Sequence, residues 1–165
     1  MTLRIAKIAL VFAVAFFYFV IVFNNVTDYD SDYQFVRHVL MMDTTSPGNH
    51  GMWRAINSPA IHTAFYLSII AWEALSMILC FAGAAKLAFA LSHKAAAFNA
   101  AKRLAIIALT VSLLQWLVAF LIVGGEWFLM WQSRTWNGQE AAIRMFIVIG
   151  IALLFLAQPD AGEQP

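Results

Sequence analysis

Residues 8–23, IALVFAVAFFYFVIVF, form an unbroken apolar run in which only Tyr18 carries a polar side-chain atom. An α-helix rises 1.5 Å per residue and needs about 20 apolar residues to cross the hydrocarbon core of a bilayer. Arg4 and Lys7 precede the run, as basic residues precede the core of a secretory signal peptide. No cleavage site of small residues separates the run from Asn24, so we predict a retained transmembrane helix over residues 5–23.

Three further apolar segments are long enough, or nearly so, to cross a membrane, and they cover residues 60–82, 104–123 and about 141–157. The chain has 165 residues, of which 62% are hydrophobic and 12% charged, and soluble domains contain fewer apolar and more charged residues. We therefore predict an all-α membrane protein, a four-transmembrane-helix bundle that forms a single domain over residues 1–165. The sequence has no basic patch of the kind that binds nucleic acid.

The distribution of lysine and arginine predicts the orientation of the bundle. Six of these residues flank the spans on one side and four on the other; in that order they are Arg4, Lys7, Lys86, Lys94, Lys102 and Arg103, then Arg37, Arg54, Arg134 and Arg144. The positive-inside rule then places both termini in the cytoplasm. Outer loops cover residues 24–59 and 124–140 and an inner loop covers 92–103. The tail QPDAGEQP, residues 158–165, is expected to be frayed.

Capping residues predict where two of the helices begin. Ser58-Pro59 places a capping residue before a proline at the first helical position of the second span. Asn137 is followed three residues later by Glu140, which is typical of a capping box. Glu140 is also spaced to pair with Arg144 one turn further on.

The two outer loops are predicted to form one cap. Residues 32–42, DYQFVRHVLMM, have apolar residues at helical spacing, which indicates a short amphipathic helix with Asp30 or Ser31 as its cap. The loop from Gly124 to Gln139, GGEWFLMWQSRTWNGQ, concentrates tryptophan and polar residues. With the loop before the second span, it would bring Trp53, Trp127, Trp131 and Trp136 to headgroup depth.

Two interpretations of this aromatic surface remain open. Indole rings prefer the membrane interface, so the tryptophans are explained by a simple anchoring belt. The loop also carries more polar side chains than anchoring needs, which favours a surface that binds a partner protein or a lipid. The candidate binding residues are Trp53, Arg54, Trp127, Trp131, Gln132, Arg134, Trp136 and Asn137.

Glu73 lies near the middle of the second span, about 20 Å from each end at helical rise. It shares a helical face with a set of polar and small residues: His62, Tyr66, Ser76, Cys80 and Gly83. Gln115 lies at similar depth in the third span. One hypothesis is that a protonated Glu73 exchanges a proton or binds a cationic substrate. The other is that Glu73 and Gln115 form an interhelical hydrogen bond that sets helix register.

Motifs for cofactor or enzyme chemistry are missing from the sequence. His38, His50 and His62 do not have the spacing of metal ligands on one helix, so we predict no metal and no cofactor. Cys80 is a lone cysteine in an apolar run and is expected to be a buried hydrophobe. No nucleophile has a neighbouring base, which makes an enzyme less probable than a binding protein.

NNVTDYDSDYQFVRHVLMMDTT after the first span, MWRAI before the second, and GEWFLMWQS with WNGQ before the fourth carry a family resemblance. The chain resembles DUF2165, a family of predicted small integral membrane proteins of bacteria, over nearly its whole length. The resemblance implies a multi-pass protein of the bacterial cytoplasmic (inner) membrane, and it implies no activity, catalytic residue or cofactor.

These observations predict a non-enzymatic, accessory membrane protein that binds membrane lipid or another membrane protein through its outer aromatic and polar cap. A homo-oligomer is a further expected form of the protein. The alternative is a small proton-coupled transporter that uses Glu73, with Tyr66, Ser76 and Gln115 as further polar residues at depth. Nucleic acid is not an expected partner.

Overall fold

The structure is a computed structural model that describes residues 1–160, and this part of the chain is helical without a strand. Five α-helices follow in order, α1 (Thr2–Thr27), α2 (Tyr29–Met41), α3 (Pro59–Phe89), α4 (Ala95–Leu114) and α5 (Gln139–Ala157). A π-helical segment, Gln115–Trp127, continues α4 without a break. Two short 3₁₀ turns, His50–Arg54 and Met130–Gln132, lie in the loops.

Four helices are long and apolar enough to cross a membrane: α1, α3, α5 and the continuous helix Ala95–Trp127. The four-helix, all-α prediction is therefore confirmed. All four helices extend beyond the predicted spans, and the largest extensions are at the end of α3, which reaches Phe89, and at the start of α4, which begins at Ala95. Most of the predicted inner loop, residues 92–103, is thus helical. Its sequence AAAFNAAKR is rich in alanine, the strongest helix former, so the helix does not end where the apolar run ends.

The chain divides into two compact units, each built from several segments. Unit 1 contains Met1–Ile21, Glu73–Leu113 and the C-terminal segment that begins at Ile147. Unit 2 contains Val22–Trp72 and Leu114–Phe146. The long loops therefore belong to unit 2, and unit 1 holds the first and the last described residues.

In unit 1, parts of α1, α3, α4 and α5 pack as a bundle. The rings of Phe12 and Phe81 meet edge to face with centroids 5.7 Å apart, which joins α1 to α3. The Tyr18 hydroxyl donates to the carbonyl oxygen of Ser112 at 3.1 Å, which joins α1 to α4. Cys80 is fully buried, as predicted. Because interfaces in membrane bundles favour small residues, this core is well suited to close helix packing.

α3 and α4 approach each other closely in unit 1. A Cβ atom added to Gly83 would lie 2.8 Å from the Cα of Ala105, closer than real Cβ contacts allow. Ala105 and Ala108 are fully buried on the same helix. Glycine facing alanine lets the two backbones approach, so dispersion contacts stabilise a pair of helices that have no hydrophobic driving force within lipid.

In unit 2, the predicted amphipathic helix is present as α2. It begins three residues earlier than expected, and Asp28 stands at its N-cap position without a side-chain capping bond, so the predicted caps Asp30 and Ser31 are wrong. The Ser31 hydroxyl instead donates to the carboxylate of Asp28 at 2.8 Å. α2 ends at Met41, and the C-cap residue Met42 adopts the left-handed conformation.

The other predicted helix starts are partly correct. α3 begins at Pro59, as expected. α5 begins at Gln139, whose N–H donates to the side-chain oxygen of Asn137 at 3.1 Å. Ion pairs found among residues 1–160 do not include the predicted pair of Glu140 with Arg144.

The predicted frayed tail is wrong for its first residues. Asp160 forms ion pairs with Arg4, Lys7 and Lys102, and its backbone N–H donates to the side-chain oxygen of Asn99 at 3.0 Å. The remainder of the tail, residues 161–165, lies outside the described residues.

Candidate functional site

An apolar cluster packs against α2 in unit 2. Val36, Val39 and Leu40 on α2 are buried in one cluster with Phe128 and Met130, which come from the tryptophan-rich loop. Apolar burial of this kind contributes roughly 1.5–3 kcal/mol per fully buried large side chain. The amphipathic pattern of residues 32–42 is thus satisfied by protein contacts within unit 2.

Hydrogen bonds join the two long loops within the same unit. The hydroxyls of Thr44 and Ser133 lie 2.7 Å apart, and the Ser46 backbone N–H donates to the Gln132 side-chain oxygen at 3.1 Å. Further along the first loop, the Ile56 N–H donates to the Leu40 carbonyl oxygen at 2.8 Å. Segments far apart in sequence therefore support one another, so the side chains they carry are held in place.

Arg54 organises the most exposed aromatic residues. Its guanidinium carbon lies 5.2 Å from the ring centroid of Trp53 and 5.0 Å from that of Trp127, within the range of cation–π attraction. One of its terminal nitrogens donates to the Trp127 carbonyl oxygen at 3.1 Å. The two indole rings meet edge to face with centroids 5.8 Å apart. We call Trp53, Arg54 and Trp127 the Trp–Arg surface.

This surface is exposed although it is ordered by internal contacts. Trp53 is 71% exposed and Trp127 49% exposed, and Trp131 in the same unit is 52% exposed. The Arg54 Nε is buried and has no hydrogen-bond partner among the described residues. Large aromatic faces around a fixed guanidinium are suited to binding, because their conformational freedom is already reduced before a partner arrives.

Other predicted binding residues have structural contacts instead. The Trp136 ring stacks on the His38 imidazole with centroids 4.8 Å apart and also meets Phe35, so it is part of the packing around α2. The Gln132 side-chain oxygen accepts a hydrogen bond from the backbone N–H of Ser46, and the Asn137 side-chain oxygen accepts one from the backbone N–H of Gln139. Arg134 and Trp131 are exposed side chains of the same loop.

The π-helical segment contributes the wall of a small cavity in unit 2. Ala119, Phe120, Val123 and Gly124 line a space of about 40 Å³ whose other walls are apolar residues of α2, α3 and the tryptophan-rich loop. A cavity of this size has room for very small molecules only, and its apolar lining offers a water few hydrogen-bond partners. It therefore suits neither a substrate nor a cofactor.

The polar residues predicted at membrane depth are all buried. Glu73 is 3% exposed, and Tyr66, Ser76 and Gln115 are buried as well. The predicted polar face of α3 is thus turned inward. The side-chain nitrogen and oxygen of Gln115 have no hydrogen-bond partner in the described chain, so the hydrogen bond that we predicted between Glu73 and Gln115 is not formed.

A cluster that the sequence analysis missed lies in unit 1. The ammonium groups of Lys7 and Lys102 both donate to the carboxylate of Asp160 and to the carbonyl oxygen of Gln158. Burial raises the pKa of Asp160, but the hydrogen bonds from Lys102 and Lys7 outweigh it and hold that pKa below its ordinary value. We call Arg4, Lys7, Lys102 and Asp160 the basic cluster.

The sequence contained a clue to the basic cluster. Lys7 interrupts an apolar helix and Lys102 lies next to the start of an apolar run, while the only acids near the predicted inner side are in the tail. A buried lysine needs a carboxylate or several oxygens as partners. We used these lysines only to predict the orientation of the helices, so their need for a carboxylate partner was missed.

Residues 3–159 match the family model of the predicted small integral membrane proteins, DUF2165. The chain belongs to this family. The match confirms the resemblance seen in the loop motifs, and with the four apolar helices it identifies an integral membrane protein. No curated protein and no solved structure matches the chain.

The histidines and acidic residues of this DUF2165 protein lie apart from one another in most of the described chain. No group of three or more His, Cys, Asp or Glu side chains that could hold a metal ion occurs within residues 1–160. His38 is paired with Asp43 at 2.7 Å, and His62 contacts the Ile56 carbonyl oxygen at 2.8 Å. These two histidines thus have structural partners.

Proposed function

We propose that this protein is a non-enzymatic, accessory membrane protein that binds another membrane protein or a lipid through the Trp–Arg surface. The observation that carries the proposal is the Arg54 guanidinium, which is held against two exposed indole rings and the Trp127 carbonyl oxygen. Tryptophan and arginine are the residues most enriched where binding energy is concentrated in interfaces.

The arrangement is more specific than a membrane anchor requires. An anchoring belt needs indole rings at the interface but no fixed guanidinium between them. The supporting contacts of Thr44 with Ser133 and of Ser46 with Gln132 also order the loops that carry these rings. Order of this kind lowers the entropic penalty of binding a partner.

Gentle purification from native membranes, followed by mass spectrometry, tests the proposal. We expect a protein or lipid to co-purify in a fixed ratio with the wild type. Trp53→Ala combined with Trp127→Ala should reduce that ratio at least about tenfold, since each removes a large aromatic contact.

The matched control is Phe89→Ala, which removes an exposed aromatic side chain at the end of α3 in unit 1. It should leave the co-purified component unchanged. Equal losses in both variants would show that exposed rings act only through the bilayer. A wild-type protein that carries neither protein nor lipid would contradict the proposal.

A small proton-coupled transporter is the second candidate. It is supported by the burial of Glu73 together with Tyr66 and Ser76 on the inward face of α3. Ionisable residues at membrane depth are costly and often mark a path for protons or ions. Substrate flux in vesicles that depends on pH and is abolished by Glu73→Gln would place this function first.

We further infer that the membrane is the bacterial cytoplasmic membrane and that both termini face the cytoplasm. The orientation is supported by the excess of lysine and arginine on the side of Arg4, Lys94 and Arg103. The bacterial membrane is what the family resemblance of the loop motifs implies. In this orientation the Trp–Arg surface faces outward.

A further inference from the structure

Among the described residues, the basic cluster of unit 1 carries more positive than negative charge. Arg4, Lys7 and Lys102 all form ion pairs with Asp160, so within residues 1–160 three cations share one carboxylate and two positive charges are left over. The side chains of Lys7 and Lys102 are only 3% and 4% exposed. Cations withdrawn from water are costly unless an anion or several oxygens compensate them.

A large cavity opens beside this cluster. Its volume is about 1050 Å³, and Arg4, Lys7 and Asp160 belong to its lining together with Lys94 and His93. Lys94 and His93 are exposed and stand in the short connection before α4. Lys94 is therefore a further cation beside the cluster, whereas Lys102 does not line the cavity. The exposed lining residues make the cavity accessible from outside the protein.

The N-terminus of α4 also favours the binding of an anion in this cavity. Ala95 and Ala96, the first residues of this 20-residue helix, also line the cavity. The first four N–H groups of a helix have no acceptor within the helix, and the helix dipole favours negative charge at this end. Backbone and side chains thus favour an anion in the same place.

We propose that this cavity binds a phosphate group. A phosphate carries up to two negative charges, which matches the two positive charges that remain in the lining when Arg4, Lys7 and Lys94 are set against Asp160. Its oxygens accept from ammonium, guanidinium and amide N–H groups alike. The cavity is level with the ends of apolar helices, where lipid headgroups lie. Met1, Leu3 and Phe155 give part of the lining an apolar character that suits the rest of a lipid molecule. The phosphate comes from an anionic lipid headgroup or from free inorganic phosphate.

Two probes applied to the full-length protein distinguish these sources. Native mass spectrometry from nanodiscs of phosphatidylcholine with phosphatidic acid measures retained lipid. Thermal unfolding in detergent, with sodium phosphate against sodium chloride at equal ionic strength, measures binding of the free ion. We expect wild-type protein to respond to at least one probe.

The critical variant combines Arg4→Gln with Lys94→Gln, and the control combines Lys86→Gln with Arg103→Gln. Both remove two positive charges from exposed or half-exposed positions of unit 1, but Lys86 and Arg103 do not line the cavity. The first should weaken phosphate binding about tenfold or more, and the second should leave it unchanged.

Arg4 also donates to the carbonyl oxygens of Leu91 and His93, so its loss affects packing as well as charge. Lys94→Gln alone, compared with Lys86→Gln alone, removes that ambiguity and should still weaken binding severalfold. Stabilisation by phosphate that depends on Lys94 would identify free phosphate as sufficient, and lipid retention alone would identify a headgroup. The proposal would be overturned if wild-type protein neither retained lipid nor was stabilised by phosphate. It would also be overturned if the cavity variants and the control variants lost phosphate binding equally.

Discussion

At the scale of single residues, the Asp160 side chain holds the last described residues against unit 1. Its carboxylate pairs with Lys7 of α1 and Lys102 of α4, and its backbone carbonyl accepts from the Asn99 side-chain nitrogen at 3.0 Å. Removing it would leave two buried ammonium groups without their counterion, which is more harmful than losing the pair as a whole. Asp160 therefore fastens the end of the described chain to unit 1.

This arrangement predicts a dependence of stability on pH. Because the pKa of Asp160 is lowered in the folded protein, its ionised form contributes stability that is present above the ordinary value of 3.8. That contribution is lost as the pH falls through the lowered pKa. Thermal unfolding in detergent should show this loss in the wild type and not in Asp160→Asn.

At neutral pH, Asp160→Asn should unfold about 5 °C below the wild type. Glu126→Gln removes an exposed carboxylate of unit 2 and is the matched control, with little change expected at any pH. An Asp160→Asn protein as stable as the wild type, with the same acid transition, would show that the ion pairs of the tail contribute nothing.

At the scale of helices, the packing of α3 on α4 depends on the absence of a side chain at Gly83. Gly83→Ala places a methyl group against the Ala105 backbone. Backbone atoms cannot relieve the clash by a change of rotamer, as a side chain can. Overpacking of this kind costs about 1–3 kcal/mol. The variant should lower the midpoint of thermal unfolding in detergent, even though alanine favours a helix more than glycine does.

Gly150→Ala is the control for this prediction, since it makes the same change within α5. A Cβ there would lie 3.6 Å from the Leu113 side chain, an ordinary contact. Its stability should be equal to that of the wild type or up to about 1 kcal/mol higher, from helix propensity alone. If the two variants behave alike, the close approach of α3 and α4 is not what stabilises unit 1.

The helices also show what local sequence information omits. The apolar runs 60–82 and 104–123 predict two spans correctly, but the π-helical turns over Gln115–Trp127 leave no trace in composition. There the Phe128 N–H donates to the carbonyl oxygen of Val123, five residues earlier, at 3.0 Å. A π-helix is adopted where surrounding contacts favour it, and such contacts cannot be read from propensity.

At the scale of the whole molecule, hydrophobicity predicts most of the fold because each span must bury its backbone hydrogen bonds within a helix. The same argument predicts α2, whose apolar positions repeat at helical spacing. It does not predict which loop residues meet. Trp53 and Trp127 are in contact although separated by two spans, whereas Trp136 packs on His38 instead of joining them.

The sequence therefore predicted which residue types form the candidate site, but only some of their contacts. The sequence indicated that tryptophan and arginine belong together in the loops, and Arg54 does contact two indole rings. The basic cluster was not predicted, because its carboxylate lies about 60 residues or more from each of its lysine partners. Pairings over such distances depend on the folded chain.

Site-specific photocrosslinking in native membranes shows whether the Trp–Arg surface binds a specific partner. A photoreactive amino acid would replace Trp127 in one protein and Phe89 in the other, both exposed aromatic positions. We expect a discrete crosslinked product from position 127 only, identified by mass spectrometry as one protein or one lipid class. Identical mixtures of bulk lipid from the two positions would contradict it and leave the tryptophans as a membrane anchor.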